Sequence, residues 1–269
     1  MSLAVSTVRD ALGAAVTALT AAGCESPRLD AEVLMADALG VDRSLLLAHP
    51  EMDIPAGAAR LIGERIRRRV GREPVAYILG SKGFRHIELL VDSRALIPRP
   101  ETELLVEIAL ELPEGASVHD VGTGSGAVAL ALLHERPDLR VSASDLSPGA
   151  VEVARANAAR LGLSLEVEVL GGMPHGHFDL VLANLPYVAD HEIASLAPEI
   201  RLHEPREALQ GGAEGLDPIR QLVDQAAAGT RMALEHAPHQ AAAVRGLLHA
   251  AETRRDLAGC ERVTTGSAP

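Results

Sequence analysis

The sequence predicts an α/β fold, in which a doubly wound, mostly parallel sheet with helices on both faces follows a small helical domain. Two observations carry this prediction. From residue 101 onward, apolar strands alternate with amphipathic helices. A glycine-rich turn at residues 122–126 joins the first of those strands to the next helix, as in folds that bind a nucleoside-containing ligand. With 269 residues, the chain has room for this domain and a smaller one.

The first seventy or so residues have the pattern of short helices. Apolar positions recur at helical spacing over residues 5–19, 29–39 and 58–70. Glycine and proline residues interrupt the pattern between these segments, so each is expected to be a separate helix. We therefore place a helical domain at residues 1–72.

Residues 73–100 differ in character from the helices before them. Val75, Tyr77 and Ile78, followed by Ile87 and Leu89, suggest short strands. We expect this stretch to be a linker that carries a short β-hairpin. The second domain then spans residues 101–269.

Within that second domain, the apolar pattern places strands and helices in alternation. Strands are predicted at residues 117–121, 139–144, 165–169, 178–183 and 231–235, and helices at residues 101–110, 127–135, 148–161, 216–228 and 239–249. The final segment is expected to form an antiparallel hairpin. The result is a sheet that is mostly parallel with an antiparallel end.

Composition argues against nucleic acid as a direct partner. The net charge is −12 and aromatic residues make up 1% of the chain. Nucleic-acid-binding surfaces are usually basic, and those that hold single strands carry stacking aromatic rings. The arginine-rich stretch at residues 60–72 is interpreted as a solvated helix face.

The sequence also bears on location and metal content. No apolar run reaches the roughly 18 residues of a membrane-spanning helix. The apolar stretch at residues 11–22 follows Arg9 and Asp10 and not a basic leader. We expect a cytoplasmic monomer without membrane attachment. Cys24 and Cys260 lie far apart in the sequence, so neither a disulfide framework nor a metal site is indicated.

The glycine-rich turn is the first candidate cofactor site. Glycine lets the backbone turn sharply and approach a ligand closely, and a helix N-terminus favours an anionic group. The spacing is G-x-G-x-G and not the G-x-G-x-x-G of dinucleotide sites. Asp145 ends the next strand, where a carboxylate can accept hydrogen bonds from ribose hydroxyls. Its alternative role is to cap the following helix. The candidate turn residues are Gly122, Thr123, Gly124, Ser125 and Gly126.

The segment after the fourth strand, Asn184-Leu185-Pro186-Tyr187, indicates the chemistry. Ligands of an open α/β sheet lie beyond the carboxyl ends of its strands, so this segment should face the cofactor. The Asn184 carbonyl and an exposed main-chain carbonyl can accept both hydrogens of a planar amide or amine, while Tyr187 packs on it. That arrangement orients the nitrogen lone pair toward a methyl sulfonium. The bland alternative is an Asn-x-Pro turn that merely leaves the strand.

With these motifs the chain resembles a known family, the HemK/PrmC-type methyltransferases, which modify the glutamine of the Gly-Gly-Gln motif in peptide-chain release factors. The resemblance rests on residues 74–80, 96–103, 120–126, 145 and 184–187. It implies a Rossmann-like class I methyltransferase sheet and an N-terminal domain that helps to hold the release factor.

The resemblance also implies site residues. S-adenosylmethionine would be held by the turn residues Gly122 to Gly126, by Asp145 and by Asn184. The glutamine amide would be bound by Asn184, Leu185, Pro186 and Tyr187, among which Asn184, Pro186 and Tyr187 would be catalytic. Glu235 and His236 end a later strand and are interpreted as structural, because methyl transfer from a sulfonium needs little proton transfer.

Three departures from the family pattern leave alternatives open. Leu185 replaces the first proline of N-P-P-Y, and N-L-P-Y resembles the motif of ribosomal RNA adenine dimethyltransferases. Gly171 and Gly172 stand where the family has an acidic residue near the adenine, which implies weaker or altered adenine contacts. The usual glycine-rich turn before Arg231 is missing.

The leading hypothesis is therefore a protein-glutamine methyltransferase that acts on release factors. One alternative is an adenine amino methyltransferase acting on RNA or DNA, and another is a diverged protein methyltransferase with a different target. A third is a binding module that has lost cofactor affinity.

Overall fold

The computed structural model describes residues 7–269, which divide into two compact units. Unit 1 runs up to Gly80 and also includes Ala197–His203. Unit 2 comprises Ser81–Leu196 and Glu204–Pro269. The boundaries predicted from sequence differ from this division, since they put residues 73–100 in a separate linker and residues 197–203 in the second domain.

The first part of unit 1 consists of short helices that close a small apolar core. Val8, Met35 and Leu46 are almost completely buried in that core. The predicted helices at 29–39 and 58–70 are confirmed, as is the first helix from residue 8; its predicted start at residue 5 lies outside the described residues. The helices are α1 (Val8–Ala21), α2 (Pro27–Leu39), α3 (Arg43–Ala48), α4 (Ala56–Val70) and α5 (Val75–Leu79).

The strand predicted at Val75 to Ile78 is wrong, because this segment is helix α5. Pro74 precedes its first turn and Gly80 ends it in the left-handed conformation with φ 73°. Tyr77 and Ile78 are both buried. In so short a segment, apolar residues alone do not distinguish one helical turn from a strand. An antiparallel hairpin follows, formed by β1 (Ser81–Phe84) and β2 (Ile87–Leu90).

Unit 2 is built on a seven-stranded sheet. Its order is β5-β4-β3-β6-β7-β9-β8, in which β3 to β7 are parallel and β9 is antiparallel to both of its neighbours. The predicted doubly wound sheet with an antiparallel end is therefore confirmed. The strands are β3 (Ser117–Val121), β4 (Arg140–Asp145), β5 (Glu166–Val169), β6 (Leu180–Ala183), β7 (Arg231–Glu235), β8 (His249–Arg255) and β9 (Glu261–Ser267).

The position of the binding crevice follows from this strand order. The chain leaves β3 toward β4 on one side, and β6 lies on the other side of β3. The strand order therefore reverses between β3 and β6. At such a switch point the connecting helices lie on opposite faces of the sheet, so the carboxyl ends of β3 and β6 border an open crevice. The central strands are apolar and buried; Val118 of β3 and Leu182 of β6 have no exposed surface.

Helices and 3-10 turns connect these strands. The predicted helix at 239–249 is shorter in the structure, because a 3-10 turn occupies Pro238–Gln240 and β8 begins at His249. The remaining helices are α6 (Glu103–Leu110), α7 (Ala127–Glu135), α8 (Pro148–Leu161), α9 (Pro198–His203), α10 (Asp217–Gln225) and α11 (Ala241–Arg245). Across residues 7–269, no helix combines the length and the apolar character needed to span a bilayer.

Ion pairs hold α9 within unit 1. Glu199 accepts hydrogen bonds from Arg69 at 2.7 Å and from Arg72 at 2.6 Å, and Arg69 also donates to Asp30 at 2.7 Å. The Arg69 side chain is only 7% exposed, so its charge requires carboxylate partners. His203 Nε2 lies 3.1 Å from the carbonyl oxygen of Gly71. The arginine-rich stretch is thus partly buried and paired, and not simply a solvated helix face.

Replacing Glu199 is expected to destabilise unit 1. Burial alone would raise the pKa of Glu199, but hydrogen bonds from Arg72 and Arg69 outweigh it and lower that pKa to about 2. The carboxylate therefore stabilises the fold above its ordinary pKa of 4.5, and this contribution is lost as the pH falls from 4.5 toward 2. We expect Glu199→Gln to lower the free energy of unfolding by about 2 kcal/mol at pH 7, since Arg69 keeps Asp30 as a partner.

Urea denaturation followed by circular dichroism, at pH 7 and pH 3, measures this effect. Glu25→Gln removes an exposed carboxylate from the same unit and is the matched control, with stability unchanged. Equal stability of Glu199→Gln and the wild type at pH 7 would contradict the assigned contribution.

Candidate active site

The carboxyl ends of the parallel strands open onto one cavity of about 710 Å³, a size suited to a nucleoside-containing ligand. Every residue that lines it belongs to unit 2. Its wall is formed by the glycine-rich turn after β3, by Asp145 at the end of β4, by Leu170, Gly171 and Gly172 after β5, and by Asn184, Leu185 and Pro186 after β6. The segments that the sequence analysis chose separately thus meet at one place.

The glycine-rich turn requires its glycines. Gly122, Gly124 and Gly126 have φ values of 72°, 57° and 82°, which favour glycine. A Cβ atom at Gly122 would lie 2.9 Å from Leu185 Cδ2, and one at Gly126 would lie 2.9 Å from Leu130 Cδ1. The backbone can therefore pass close to the β6 segment and to α7 only without side chains.

Other groups of the turn face the cavity. Thr123 and Ser125 are buried residues of the cavity wall. The Ser125 hydroxyl has no hydrogen-bond partner among residues 7–269, although it is fully buried. A buried hydroxyl without a partner is costly, so this atom indicates a bound polar group.

Asp145 occupies the position expected of a ribose-binding carboxylate. Its Oδ2 accepts a hydrogen bond from the amide of Gly124 at 2.8 Å, and its Oδ1 accepts one from the amide of Ser147 at 2.8 Å. Each carboxylate oxygen keeps a free lone pair for a further donor. The N-cap of α8 is Ser147, whose hydroxyl accepts from the amide of Ala150. The residue that caps α8 is therefore Ser147, and not Asp145 as in the alternative interpretation.

Asp120 is a cavity residue that the sequence analysis did not select. Burial raises its pKa to about 7, although a hydrogen bond from Thr123 Oγ1 at 2.6 Å opposes the rise. Its position two residues before Gly122 was visible in the sequence. A carboxylate at the end of a buried strand was the feature that could have identified it.

Asn184 presents an acceptor to the cavity. Its Nδ2 group donates to Thr102 Oγ1 at 3.0 Å, which leaves Oδ1 free to accept. The carbonyl of Leu185 accepts no hydrogen bond from any described residue. Two acceptors on one short segment match the two hydrogens of a primary amide.

A second glycine-rich segment and a glutamine fix the path of this loop. Gln240 Nε2 donates to the carbonyl of Tyr187 at 2.9 Å. A Cβ atom at Gly211 would lie 2.7 Å from the Pro186 carbonyl oxygen, and one at Gly215 would lie 2.2 Å from that of Tyr187. These contacts could not be predicted from the sequence, because they join residues far apart in the chain.

Tyr187 differs from its predicted placement. It does not belong to the residues that line the cavity, whereas Asn184, Leu185 and Pro186 do. Its hydroxyl is directed toward Glu235 Oε1 at 3.5 Å. Burial, followed by the Glu235 charge, raises the pKa of Tyr187, so its hydroxyl stays protonated.

The cavity wall has no acidic side chain at positions 171 and 172. Gly171 and Gly172 line it, as do Leu146 and Gln221. A Cβ atom at Gly171 would lie 2.8 Å from Leu146 Cδ1, so glycine allows the leucine to pack against this backbone.

Arg94 and Arg99 are charged residues of the cavity wall that have carboxylate partners. Arg99 lines the cavity and forms an ion pair with Glu204, whose side chain is buried. Within residues 7–269 there is no group of three or more His, Cys, Asp or Glu residues arranged to hold a metal ion.

Comparisons with known proteins identify relatives of this chain. The family model described as PrmC N-terminal domain matches residues 10–80, and that described as methyltransferase small domain matches residues 100–236. The release factor glutamine methyltransferase of Cereibacter sphaeroides is 41% identical, over 97% of this chain and 98% of the relative. That of Deinococcus radiodurans is also 41% identical, over 95% and 96%.

A solved structure supports the fold alone. The catalytic domain of hMettl16, crystallised in complex with the MAT2A 3′UTR hairpin 6, aligns with a TM-score of 0.52 at 13% identity, covering 67% of this chain and 76% of that one. The near-complete match to curated relatives identifies the family. The chain belongs to the release factor glutamine methyltransferases, which use S-adenosylmethionine as the methyl donor.

Proposed function

We propose that this protein methylates the side-chain amide nitrogen of the glutamine in the Gly-Gly-Gln motif of peptide-chain release factors. The observation that carries the proposal is that Asn184 and Leu185 offer two acceptors beside the glycine-rich turn and Asp145 in one cavity. Relatives at 41% identity over nearly the whole chain are named release factor glutamine methyltransferases, which supports the proposal.

The residues present fit S-adenosylmethionine. The unpartnered Ser125 hydroxyl, the glycine cradle and the Asp145 carboxylate provide a donor, close backbone approach and a ribose acceptor. Gly122, Thr123, Gly124, Ser125, Gly126, Asp145 and Asn184 would hold the cofactor. When bound, it supplies an electrophilic methyl group on a sulfonium sulfur.

The chain's own residues orient the acceptor nitrogen. Asn184 Oδ1 and the Leu185 carbonyl would accept the two N–H hydrogens of the glutamine amide and hold its nitrogen with the lone pair toward the methyl group. The bound cofactor would supply its methyl group to this nitrogen through a new N–C bond, and sulfur would keep the electrons of the broken S–C bond. One amide proton then departs to water, so no strong general base is required before the transfer. Pro186 stiffens the loop and Tyr187 anchors it from behind.

Two properties of the chain weigh against the alternatives. The helical segment that matches the PrmC N-terminal domain would hold the release factor, and a nucleic-acid methyltransferase has no evident use for it. The net charge of −12 disfavours a phosphate backbone as substrate. Because one chain supplies the whole cavity, we further propose that the enzyme acts as a monomer, in the cytoplasm where release factors act.

Methyl transfer from labelled S-adenosylmethionine tests the proposal. Purified release factor would be offered beside a variant in which the glutamine of Gly-Gly-Gln is changed to alanine. We expect label on the intact factor and at least about a hundredfold less on the variant. Equal labelling of both would place the methyl group elsewhere on the factor. Label on neither factor, but on an RNA containing ribosomal adenines, would favour the adenine methyltransferase suggested by Leu185.

A further inference from the structure

A fully buried carboxylate lies beside the proposed amide-binding residue. Ala183 of β6 pairs with Leu234 of β7, so Asn184 and Glu235 are the next residues on two adjacent parallel strands. Glu235 has no exposed surface, and its Oε2 has no hydrogen-bond partner among residues 7–269. Burying a carboxylate oxygen without a hydrogen-bond partner destabilises the fold. Packing alone therefore does not explain why a glutamate occupies this position.

Thr102 connects this carboxylate to Asn184. It lies in the 3-10 turn Pro100–Thr102 that precedes α6, and it is 5% exposed. Its hydroxyl accepts from Asn184 Nδ2 at 3.0 Å, and it lies near enough to Glu235 to lower the pKa of that carboxyl as a hydrogen-bond donor would. Tyr187 approaches the same carboxylate, with its hydroxyl 3.5 Å from Oε1.

The direction of these hydrogen bonds decides which group Asn184 offers to the cavity. A threonine hydroxyl has one proton, so if it donates to Glu235 it can only accept from Asn184. The Asn184 NH₂ group is then turned to Thr102, and its oxygen faces the substrate. If Glu235 instead donates a proton to Thr102, the Thr102 hydroxyl is free to donate to the Asn184 oxygen. In that state the Asn184 NH₂ group faces the cavity, and it cannot accept a hydrogen bond from a substrate N–H.

We propose that Thr102 and Glu235 are positioning residues that fix the Asn184 side chain with its oxygen, and not its NH₂ group, toward the substrate amide. The inference rests on the proposed function, whose acceptor role for Asn184 it explains. Neither residue needs to touch the substrate's reacting nitrogen, because both act through Asn184.

The surroundings make the state of Glu235 sensitive to pH. Burial raises its pKa to about 7 and the nearby Glu101 charge adds to the rise, while Thr102, Arg262 and Tyr187 oppose it. Arg262 faces it from β9 and Tyr187 from the loop after β6. His236 follows Glu235 in the chain and is neutral at pH 7, because burial lowers its pKa and outweighs the opposing hydrogen bond from its Nδ1–H to the Ala237 carbonyl. As the pH rises through 7, Glu235 ionises and the productive orientation of Asn184 is favoured.

Selective ¹⁵N labelling of asparagine gives a direct readout, since the chain contains only Asn157 and Asn184. Asn157 is fully buried and donates to the carbonyls of Leu90 and Ser125, so it is an internal reference. We expect the Asn184 side-chain amide resonances of the full-length protein to shift with a midpoint near pH 7, and those of Asn157 to stay constant. Glu235→Gln should abolish the shift. A pH-independent Asn184 signal in the wild type, or an unchanged titration in Glu235→Gln, would overturn the proposal.

Kinetics supply the second test. Thr102→Val should lower kcat for methyl transfer to the release factor roughly tenfold or more, with the Kd for S-adenosylmethionine within about threefold, and Thr102→Ser should restore kcat to within about threefold. In the wild type kcat should rise with pH through 7, and in Glu235→Gln it should be low and flat. Thr230→Val deletes a hydroxyl bonded to the Ala227 carbonyl, outside the cavity, and is the matched control with unchanged kcat.

The two tests separate this inference from the proposed function. Suppose that the wild type transfers no methyl group to the release factor but the Asn184 resonances titrate as described. The positioning role of Thr102 and Glu235 is then supported, and the release factor is not the substrate. If the wild type is active and Thr102→Val has wild-type kcat at every pH, the positioning pair is wrong and the substrate stands.

Discussion

Asn184→Ala is expected to transfer methyl groups to the release factor about 10³-fold more slowly than the wild type. The truncated side chain offers no oxygen to the glutamine amide, so the nitrogen is no longer held with its lone pair toward the methyl group. Cofactor affinity should stay within about tenfold, roughly 1.4 kcal/mol, because the glycine-rich turn and Asp145 are untouched. The expected signature is therefore a loss in kcat that cofactor binding does not explain.

Single-turnover labelling with saturating S-adenosylmethionine measures the rate, and calorimetric titration measures cofactor affinity. Asn184→Asp is the matched variant, because it keeps acceptor oxygens but loses the NH₂ group that donates to Thr102 at 3.0 Å. We expect it to retain more activity than alanine and less than the wild type. Wild-type turnover in Asn184→Ala would remove Asn184 from the catalytic assignment.

Asp145→Ala is expected to raise the Kd for S-adenosylmethionine by about 10²-fold. Two hydrogen bonds from ribose hydroxyls to a carboxylate contribute about 3 kcal/mol together. The substitution also removes the acceptor of the Gly124 amide at 2.8 Å, which loosens the turn that the cofactor touches. Burial raises the pKa of Asp145, so wild-type affinity should begin to fall at a higher pH than an ordinary aspartate would predict.

Calorimetric titration of the full-length protein at pH 7.5 and pH 5 tests both expectations. Asp145→Asn preserves shape and removes the charge, and it should lie between alanine and the wild type. Asp224→Ala deletes an exposed carboxylate of α10 that does not line the cavity, and its Kd should equal that of the wild type. An unchanged Kd in Asp145→Ala would exclude a ribose contact at this position.

Much of the site could be predicted because its residues lie at the ends of parallel strands. The carboxyl ends of β3, β4 and β6 must meet at one edge of the sheet once the alternating pattern is recognised. The sequence positions of the glycine-rich turn, Asp145 and Asn184 therefore place them together without further information. The hydrophobic periodicity also predicted the long helices α2, α4, α7 and α8, whose apolar faces are buried.

The parts of the site and fold that the sequence did not predict depend on where side chains point. The spacing of residues along the sequence does not determine those directions. Thr102 contacts Asn184 across 82 positions, and its role depends on which way a hydroxyl points. Tyr187 was expected against the substrate, but the loop path set by Gln240 and Gly215 turns its ring toward Glu235. The assignment of α9 to unit 1 depends on a carboxylate meeting arginines 127 and 130 positions away.

The return of residues 197–203 to unit 1 has a consequence for biosynthesis. The chain crosses between the units three times, after Gly80, Leu196 and His203. Arg69 and Arg72 leave the ribosome well before Glu199, which is 127 positions beyond Arg72. The N-terminal helices must therefore persist with an incomplete charge network until most of the catalytic sheet has been translated. A fragment ending at residue 80 would reproduce that nascent state and not the finished domain.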